Sequence, residues 1–204
     1  MEEEEMNSFI KMMTTSAAIA SIPLHRRRIL QKVIDFIQSK RNENKPVKLN
    51  FICTHNSRRS QLAQVWALLA SHYFSIEAEC YSGGVEVTAF NDRAVLALET
   101  DGVRFSVEQN GQNPIYKLNL QGQGVSFFSK DYTHKSNPTH GFAAIMTCSH
   151  ADENCPFIPG AELRISLTYN DPKDFDGSEM EKAKYLERSR EIAKELVYIF
   201  SKVK

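Results

Sequence analysis

Leu49-Asn50-Phe51-Ile52-Cys53-Thr54-His55-Asn56-Ser57-Arg58-Arg59-Ser60 places a cysteine at the end of an apolar run and an arginine six positions later. Apolar residues recur at helical spacing immediately afterwards, over 61–69, so the pattern predicts a strand, a tight loop and a helix. In that arrangement the loop N–H groups and the positive end of the helix dipole converge on a tetrahedral anion. Arg59 offers a planar fork to two of the anion's oxygens. The same positive field favours the thiolate of Cys53, which is the reactive form of that side chain.

The rest of the chain alternates between apolar runs of strand length and segments with helical periodicity. The expected strands are 47–52, 76–81, 141–148 and 163–168, and the expected helices run to about 73, over 91–100 and over 179–203. This alternation favours an α/β fold with a parallel sheet. Ligands of such folds bind beyond the carboxyl ends of the strands. Cys53, the Cys148 region and the segment 169–172 each follow a candidate strand, so we expect them to meet at one edge.

Two shorter features interrupt this alternation. Ser82-Gly83-Gly84 is a turn signal after the second expected strand. Leu118–Leu120 and Val125–Phe128, separated by glycine-containing sequence, indicate a β-hairpin.

Residues 1–45 are predicted to form an N-terminal helical extension, ahead of a second unit at 46–204. Residues 1–20 carry an acidic run and little periodicity, so we expect a frayed start. A helix should begin near Pro23, because proline suits the first helical turn and apolar residues then recur at helical spacing. The basic residues between those apolar positions are predicted to form a solvated face: Arg26, Arg27, Arg28 and Lys32.

Composition argues against several classes of function. The chain has 204 residues, of which 42% are hydrophobic, and this suits one domain with a sizeable core and an appendage. It carries 25 basic and 25 acidic side chains, so a general role on nucleic acid or on a membrane surface lacks electrostatic support. No apolar run approaches the roughly 20 residues that span a bilayer. The acidic N-terminus is unlike a secretory or transit signal, so we expect a cytoplasmic protein.

Asp171-Pro172 is the second element of a candidate site. A nucleophile that displaces an oxygen from phosphorus or arsenic needs a group that protonates the leaving oxygen, and a carboxylic acid on a nearby loop can do so. The dipeptide Asp-Pro is also common in ordinary turns. Beside a thiolate loop, the acid role becomes the favoured interpretation of Asp171.

The four cysteines are Cys53, Cys80, Cys148 and Cys155, and a chain of this length needs no disulfide framework. Cys148 ends an expected strand, and Cys155 follows it in the sequence. A disulfide between these two positions requires the intervening segment to bend or unwind. That property suits a relay in which Cys148 attacks the sulfur of Cys53 and Cys155 then attacks Cys148. Two alternatives stay open for this pair: a zinc site with His150, and unrelated core thiols. Cys80 is predicted to be a core residue.

Taken together, these motifs resemble the low-molecular-weight protein tyrosine phosphatase superfamily, and most of all its thioredoxin-coupled arsenate reductases. The resemblance covers roughly 47–203 and rests on Phe51–Gln61, Ser82–Gly84 with Phe90–Val95, Cys148–Pro156, and Asp171-Pro172. The first segment matches both branches, and the cysteine-containing segment is similar to the redox segment of the reductases. Asp171-Pro172 matches the general-acid loop that both branches share. The chain differs from the family at His55, where glycine is usual, and at 111–137, which has the character of an insertion.

The resemblance implies a four-stranded parallel sheet flanked by helices, with the catalytic domain at 46–204. It implies that Cys53 is the nucleophile, Arg59 the oxyanion binder and Asp171 the general acid. The oxyanion-binding loop would comprise Thr54, His55, Asn56, Ser57, Arg58, Arg59 and Ser60. For a reductase it implies attack of Cys53 on arsenate, release of arsenite by Cys148, transfer of the disulfide to Cys155, and reduction by thioredoxin or a similar thiol. It implies no bound cofactor and no metal.

Three functions stay open on the sequence. The first is arsenate reduction through the three-cysteine relay. The second is hydrolysis of phosphate monoesters, including phosphotyrosine, through a Cys53 phosphocysteine, which needs only Cys53, Arg59 and Asp171. The segment 173–175 lacks the aromatic pair that grips phosphotyrosine in the eukaryotic phosphatases of this family, which argues against a dedicated tyrosine phosphatase. The third is a non-catalytic module that binds an oxyanion or a partner.

Overall fold

The structure, a computed structural model, describes residues 2–120, 122–155 and 157–204; Pro156, which closes the third motif, and Met1 lie outside these ranges. The helices are α1 (Glu2–Met13), α2 (Ser16–Ala20), α3 (Leu24–Asn42), α4 (Arg59–Tyr73), α5 (Asp92–Thr100), α6 (Ser149–Asn154) and α7 (Glu181–Lys202), with a short 3-10 helix at Pro172–Phe175. The strands are β1 (Lys48–Cys53), β2 (Glu79–Gly84), β3 (Ser106–Gln109), β4 (Ile115–Leu120), β5 (Gln123–Phe127), β6 (Phe142–Met146) and β7 (Ala161–Ser166). No helix in the described ranges has the length and apolar character needed to cross a membrane.

Four strands form a parallel sheet in the order β2-β1-β6-β7, which confirms the predicted α/β fold. Side chains alternate between the two faces of each strand. Leu49 and Phe51 enter the main core between the sheet and the helices, whereas Ile52 enters a smaller cluster with residues of β6 and α6. Because the strands point the same way, the ends of β1 and β6 bring Cys53 and the start of α6 to one edge of the sheet.

The second strand lies later in the chain than the pattern predicted. β2 covers Glu79–Gly84 rather than 76–81, so Ser82-Gly83-Gly84 is strand and not turn. The parallel partner imposes this register, because Lys48 pairs with Glu79 and Cys53 pairs with Gly84.

Both glycines of β2 are required by close backbone contacts. A Cβ on Gly83 would stand 2.3 Å from Tyr132 Cα, and a Cβ on Gly84 would stand 2.7 Å from the backbone nitrogen of Asn56. Real Cβ atoms do not come this near, so only glycine lets the following segments approach the end of the strand. The glycine pair therefore serves packing beside the loop rather than a change of chain direction.

The predicted hairpin is present and belongs to a larger antiparallel sheet, β3-β4-β5. Its third strand, β3, was not predicted, because all four of its residues are exposed and give no apolar alternation. Aromatic rings of this sheet meet edge to face, with centroids 6.0 Å apart for Phe105 and Tyr116 and 5.8 Å apart for Phe105 and Phe127. Phe90, just before α5, meets Tyr116 at 5.6 Å and joins the small sheet to the core.

The N-terminal residues are helical and packed, so the expectation of a frayed start is wrong. Ile10 is fully buried, and the Phe9 ring stacks on the ring of Trp66 in α4 with 5.1 Å between centroids. Met6 and Met13 are also buried, which completes an apolar stripe at helical spacing along α1. The acidic start of the chain conceals this stripe in the sequence.

The basic residues of α3 do not share one solvated face. Arg28 is exposed as predicted, and Arg27 donates to the carbonyl oxygens of Ile22 at 2.8 Å and Ala20 at 3.1 Å. Arg26 instead turns inward and pairs with Glu195 of α7 at 2.6 Å. The prediction is wrong for Arg26 because its partner stands 169 positions away and leaves no local signal.

Candidate active site

Cys53 lies at the carboxyl end of β1, under a tight loop that leads into α4. Its Sγ atom is 3.0 Å from Ser60 Oγ in the first turn of α4, and Ser60 Oγ accepts a hydrogen bond from Asn56 Nδ2 at 2.8 Å. Cys53 is 3% exposed. Asn56 adopts a positive φ of 46°, a conformation that asparagine tolerates better than most residues. The loop thus folds back over the thiol, with the start of α4 directed at it.

Residues far along the chain hold this loop from outside. Ser129 Oγ donates to the carbonyl oxygen of His55 at 2.9 Å, and the backbone N–H of Lys130 donates to Asn56 Oδ1 at 2.9 Å. Gln61 Nε2 donates to the carbonyl oxygen of Phe128 at 2.8 Å. The segment that follows β5 therefore fixes the backbone of the loop.

His55 stands where the related family usually has glycine. Among the described residues, the non-glycine residues with positive φ are Asn44, Asn56 and Ser75, so His55 occupies an ordinary backbone conformation. Its ring is half-exposed, and its Nε2 lies 3.3 Å from a carboxylate oxygen of Glu86. A side chain at this position is therefore compatible with the shape of the loop.

Arg59 points toward the segment that carries Asp171 and not into solvent. Its Nη1 donates to the carbonyl oxygen of Tyr169 at 3.0 Å, and its Nη2 donates to Asp171 Oδ2 at 2.6 Å. The Arg59 side chain is 12% exposed, and its Nε is buried without a hydrogen-bond partner among the described residues. Asp171 Oδ1 accepts from the backbone N–H of Lys173 at 3.1 Å, which caps the 3-10 helix. The structure therefore brings Cys53, Arg59 and Asp171 to one edge of the sheet.

Arg58 is directed away from the thiol. Its Nε donates to the Tyr185 hydroxyl at 2.7 Å, and its Nη2 lies 3.4 Å from Asp176 Oδ2. Burial, together with the hydrogen bond to Asp176, raises the pKa of Tyr185 to about 12. The guanidinium of Arg58 is thus engaged by Tyr185 and Asp176. The predicted anion-binding roles stay predictions for all seven loop residues: Thr54, His55, Asn56, Ser57, Arg58, Arg59 and Ser60.

Cys148 is buried at the start of α6, and Cys155 follows the end of the same helix. The Cys148 Sγ accepts from the backbone N–H of Ala151 at 3.3 Å and lies 3.4 Å from Thr54 Oγ1. The Thr54 hydroxyl is also 3.2 Å from His150 Nδ1. Because Thr54 directly follows Cys53, it connects the oxyanion loop to the second thiol.

Three of the four cysteines share one small apolar cluster. Cys53 and Cys148 are buried in it, and the half-exposed Cys155 packs against it. Burial raises the pKa of the Cys155 thiol, although Arg164 nearby offsets part of that effect. Cys80 lies in the main core on the other side, where burial raises its pKa strongly, as expected of a core thiol. All four are free thiols.

The described residues contain no group of three histidine, cysteine or acidic side chains arranged to hold a metal ion. Sequence reasoning did not identify the residues that support the loop from a distance. Ser129 and Lys130 follow the hairpin by a few positions and stand in no recognisable motif. Only their spatial neighbours reveal their role.

Known proteins resemble this chain in sequence and in fold. No protein-family model matches the chain. It is 29% identical over 134 residues to arsenate reductase 2 of Staphylococcus epidermidis RP62A, covering 66% of this chain and 85% of that protein. It is 28% identical over 141 residues to arsenate reductase of Bacillus subtilis 168, covering 69% and 85%.

Solved structures share the fold at lower sequence identity. A low-molecular-weight phosphotyrosine phosphatase from Vibrio cholerae O395 matches with a TM-score of 0.50 at 13% identity, over 74% of this chain and 92% of that one. A low-molecular-weight protein tyrosine phosphatase from T. tengcongensis matches with a TM-score of 0.51 at 15% identity, over 77% and 99%. The chain is therefore similar in sequence to arsenate reductases, and it shares its fold with low-molecular-weight protein tyrosine phosphatases.

Proposed function

We propose that the chain is a thiol-dependent arsenate reductase that works through Cys53, Cys148 and Cys155. One observation carries this proposal above the others. These three thiols share one cluster at the oxyanion loop, whereas Cys80 is apart in the main core. A phosphatase needs only Cys53. A reductase also uses Cys148 and Cys155, which form disulfides in turn.

The first step is an attack of the Cys53 thiolate on arsenic. The loop N–H groups and Arg59 hold the anion's oxygens. An As–O bond breaks, and Asp171 delivers a proton to the leaving oxygen. In the free protein Arg59 is paired with Asp171, so the anion takes over the guanidinium and leaves the carboxyl group free to act as an acid.

The second step reduces arsenic. The Cys148 thiolate attacks the sulfur of Cys53, and the S–As bond breaks with its electron pair on arsenic, which leaves as arsenite. Thr54 holds the Cys148 sulfur at the loop, through the 3.4 Å contact of its hydroxyl group. The product is a disulfide between Cys53 and Cys148.

The third step regenerates the nucleophile. Cys155 attacks Cys148, restores the Cys53 thiolate, and leaves a Cys148–Cys155 disulfide. Helix α6 separates these two residues, so it must unwind for their sulfurs to meet. A dithiol of the thioredoxin class then reduces the disulfide, and no bound cofactor is required. Chemistry of this kind needs a reducing compartment, and we expect the cytoplasm.

Phosphate-monoester hydrolysis is the second candidate, because Cys53, Arg59 and Asp171 suffice for it. A cavity of about 390 Å³ opens beside the loop and would receive the substrate's organic group. Its lining includes the charged or polar side chains of His55, Asp92 and Lys173, which suit a small polar substrate better than an aromatic ring. An oxyanion-binding module without turnover is the remaining alternative.

The test couples arsenate reduction to NADPH oxidation through thioredoxin and thioredoxin reductase. We expect Cys148→Ser and Cys155→Ser each to abolish arsenate-dependent NADPH oxidation, and the matched control Cys80→Ser to retain it. Hydrolysis of p-nitrophenyl phosphate should survive both relay substitutions and disappear in Cys53→Ser.

Other outcomes select the alternatives. Aryl phosphatase activity without arsenate reduction in the wild-type protein would replace the reductase by a phosphatase. Binding of phosphate without either activity would support the non-catalytic module. Arsenate reduction that persists in Cys148→Ser would contradict the relay.

A further inference from the structure

Arg26 of the N-terminal extension reaches the segment that leads into Asp171. Its Nη1 donates to the carbonyl oxygen of Thr168 at 3.0 Å. Its Nε and Nη2 donate to the two carboxylate oxygens of Glu195 at 2.7 and 2.6 Å, a bidentate pair. The side chains of Arg26 and Glu195 are 14% and 3% exposed. The guanidinium therefore joins α3, α7 and the segment that follows β7.

Tyr169 completes this group. Its hydroxyl donates to Glu195 Oε2 at 2.8 Å, and the Arg26 guanidinium lies over its ring, 4.9 Å from the centroid. Burial alone would lower the pKa of Arg26. The interactions with Glu195 and Tyr169 outweigh this effect of burial, so the pKa of Arg26 is raised. Burial and Glu195 together raise the pKa of Tyr169 well above its ordinary value. The group therefore consists of a charged pair and a neutral phenol.

Two arginines thus fix consecutive carbonyl groups just before the acid. Arg26 binds the carbonyl oxygen of Thr168, and Arg59 binds that of Tyr169, two residues before Asp171. A displacement of this segment would move Asp171 directly, because only Asn170 intervenes. A small misplacement of a catalytic group is enough to slow a reaction severely.

A buried ion pair is a weak source of stability, because the cost of removing both charges from water offsets their attraction. Apolar residues of similar size would fill the same space at least as well. The pair therefore contributes orientation rather than stability. A planar guanidinium that binds a carboxylate and a carbonyl group at the same time fixes their relative positions.

We propose that Arg26, held by Glu195, is a positioning residue for the general acid Asp171. This inference rests on the proposed function, because Asp171 has that role in both candidate reactions. It makes the N-terminal extension part of the catalytic apparatus, although no residue of the extension reaches the thiol loop in the described contacts.

The first experiment measures how turnover depends on the leaving group. Arg26→Met keeps the apolar stem. Arg27→Met is the matched control on the same helix, because within the described ranges the Arg27 guanidinium donates its hydrogen bonds to carbonyl groups of the extension. p-Nitrophenyl phosphate needs little protonation of its leaving oxygen, and phenyl phosphate needs more. We expect Arg26→Met to lower kcat on phenyl phosphate about tenfold, with a smaller loss on p-nitrophenyl phosphate and little change in KM. Arg27→Met should match the wild type on both substrates.

The second experiment asks whether Arg26 acts through the acid. In an Asp171→Asn background the substitution Arg26→Met should lower kcat less than twofold, because there is no acid left to position. Arg26→Lys serves if Arg26→Met folds poorly, since lysine keeps the charge but cannot bind both oxygens of Glu195 and Thr168 together. Equal losses of kcat on both substrates, or equal losses with and without Asp171, would overturn the proposal.

A third measurement does not depend on activity. Hydrogen exchange of the backbone amides of 167–176 should become faster in Arg26→Met, while exchange in β1 should not change. If the wild-type protein turns over neither aryl phosphates nor arsenate, the proposed function fails, and this exchange still decides whether Arg26 fixes the segment. Unchanged exchange in 167–176 would overturn the positioning role even in an active enzyme.

Discussion

Arg59 donates a 2.6 Å hydrogen bond to the carboxylate of Asp171, so the expected anion binder and the expected acid are partners of each other in the free protein. Both side chains are largely buried, and this pair competes with an incoming anion for the guanidinium. An anion that takes over the Arg59 guanidinium releases the Asp171 carboxyl group from this hydrogen bond. Binding of an anion by Arg59 is therefore coupled to release of Asp171 for its expected role as the acid.

Asp171→Asn should separate turnover from affinity. Asparagine can still cap the 3-10 helix but cannot donate an acidic proton, so we expect kcat to fall about a hundredfold or more. Arg59 loses its competing carboxylate, so affinity for inorganic phosphate or arsenate should be equal or higher. Steady-state kinetics and calorimetric titration with phosphate measure the two quantities. Equal losses in both would mean that Asp171 positions the loop instead.

The two arginines of the loop should differ in function. Arg59→Lys removes the planar fork, so phosphate binding should weaken at least tenfold and turnover about a hundredfold. Arg58→Lys is the matched substitution, and it affects the contacts with Tyr185 and Asp176. We expect it to lower thermal stability while phosphate affinity changes less than threefold. A comparable loss of phosphate affinity in both variants would place the Arg58 guanidinium in the anion site.

Cys155→Ser should trap the relay at its second step. Without Cys155 the disulfide between Cys53 and Cys148 cannot be passed on, so one equivalent of arsenate should give one equivalent of arsenite and then stop. Peptide mapping should find Cys53 linked to Cys148. The control Cys148→Ser should yield neither disulfide nor arsenite in a single turnover. Multiple turnovers by Cys155→Ser would show that an external thiol attacks the first disulfide directly.

Lys130 should make stability depend on alkaline pH. Burial lowers its pKa from 10.5 to about 8, and its Nζ lies 4.7 Å from the centroid of the Phe128 ring. Because the folded state disfavours the charged amine, Lys130 lowers the free energy of unfolding by its full amount below about pH 8. This destabilisation disappears as the pH rises toward 10.5. Lys130→Met should therefore raise the free energy of unfolding at pH 7 by on the order of 3 kcal/mol, with little gain at pH 10.5.

Urea denaturation at both pH values measures this effect as the difference between variant and wild type. The control is Lys135→Met, an exposed lysine of the same segment, which should change neither value noticeably. A stability gain for Lys130→Met that is the same at both pH values would contradict the titration of Lys130 and leave only better packing.

Helix α1 should contribute to the stability of the whole domain. Ile10 is fully buried, so Ile10→Ala should lower the free energy of unfolding by about 2–4 kcal/mol. Met12 on the same helix is 54% exposed, and Met12→Ala should change the free energy of unfolding by less than about 0.5 kcal/mol. Trp66, the single tryptophan, stacks on Phe9 and reports unfolding by its fluorescence. Equal effects of the two substitutions would mean that α1 does not pack as described.

Local patterns were enough to predict the central sheet and the thiol loop. The run up to Cys53, the apolar strand before Cys148 and the helix of 179–203 each carry their periodicity in consecutive residues. Asn91 caps α5 by an equally local contact, because its side chain accepts from the backbone N–H of Arg93 within the same turn.

Long-range contacts account for what the sequence did not predict. Gly83 and Gly84 were interpreted as a turn because glycine is permissive in isolation, yet the neighbouring Tyr132 segment requires them in a strand. Arg26 was interpreted as a surface charge because Glu195 lies on another helix. Anion-binding roles inside the loop and the order of thiol attack depend on a bound anion and on motion of α6, which no fixed spacing of residues specifies.

The hydrogen bonds that Ser129 and Lys130 donate to the oxyanion loop, and the one that Phe128 accepts from Gln61, have a consequence for protein engineering. A transplanted copy of residues 53–60 would arrive in a shorter relative without these three anchors. The carbonyl group of His55 would then lose the hydrogen bonds that Ser129 and Thr88 donate to it, and the graft would relax. The portable unit is therefore the loop together with the segment after β5 that holds it, and exchange of this loop with another protein should be planned in such pairs.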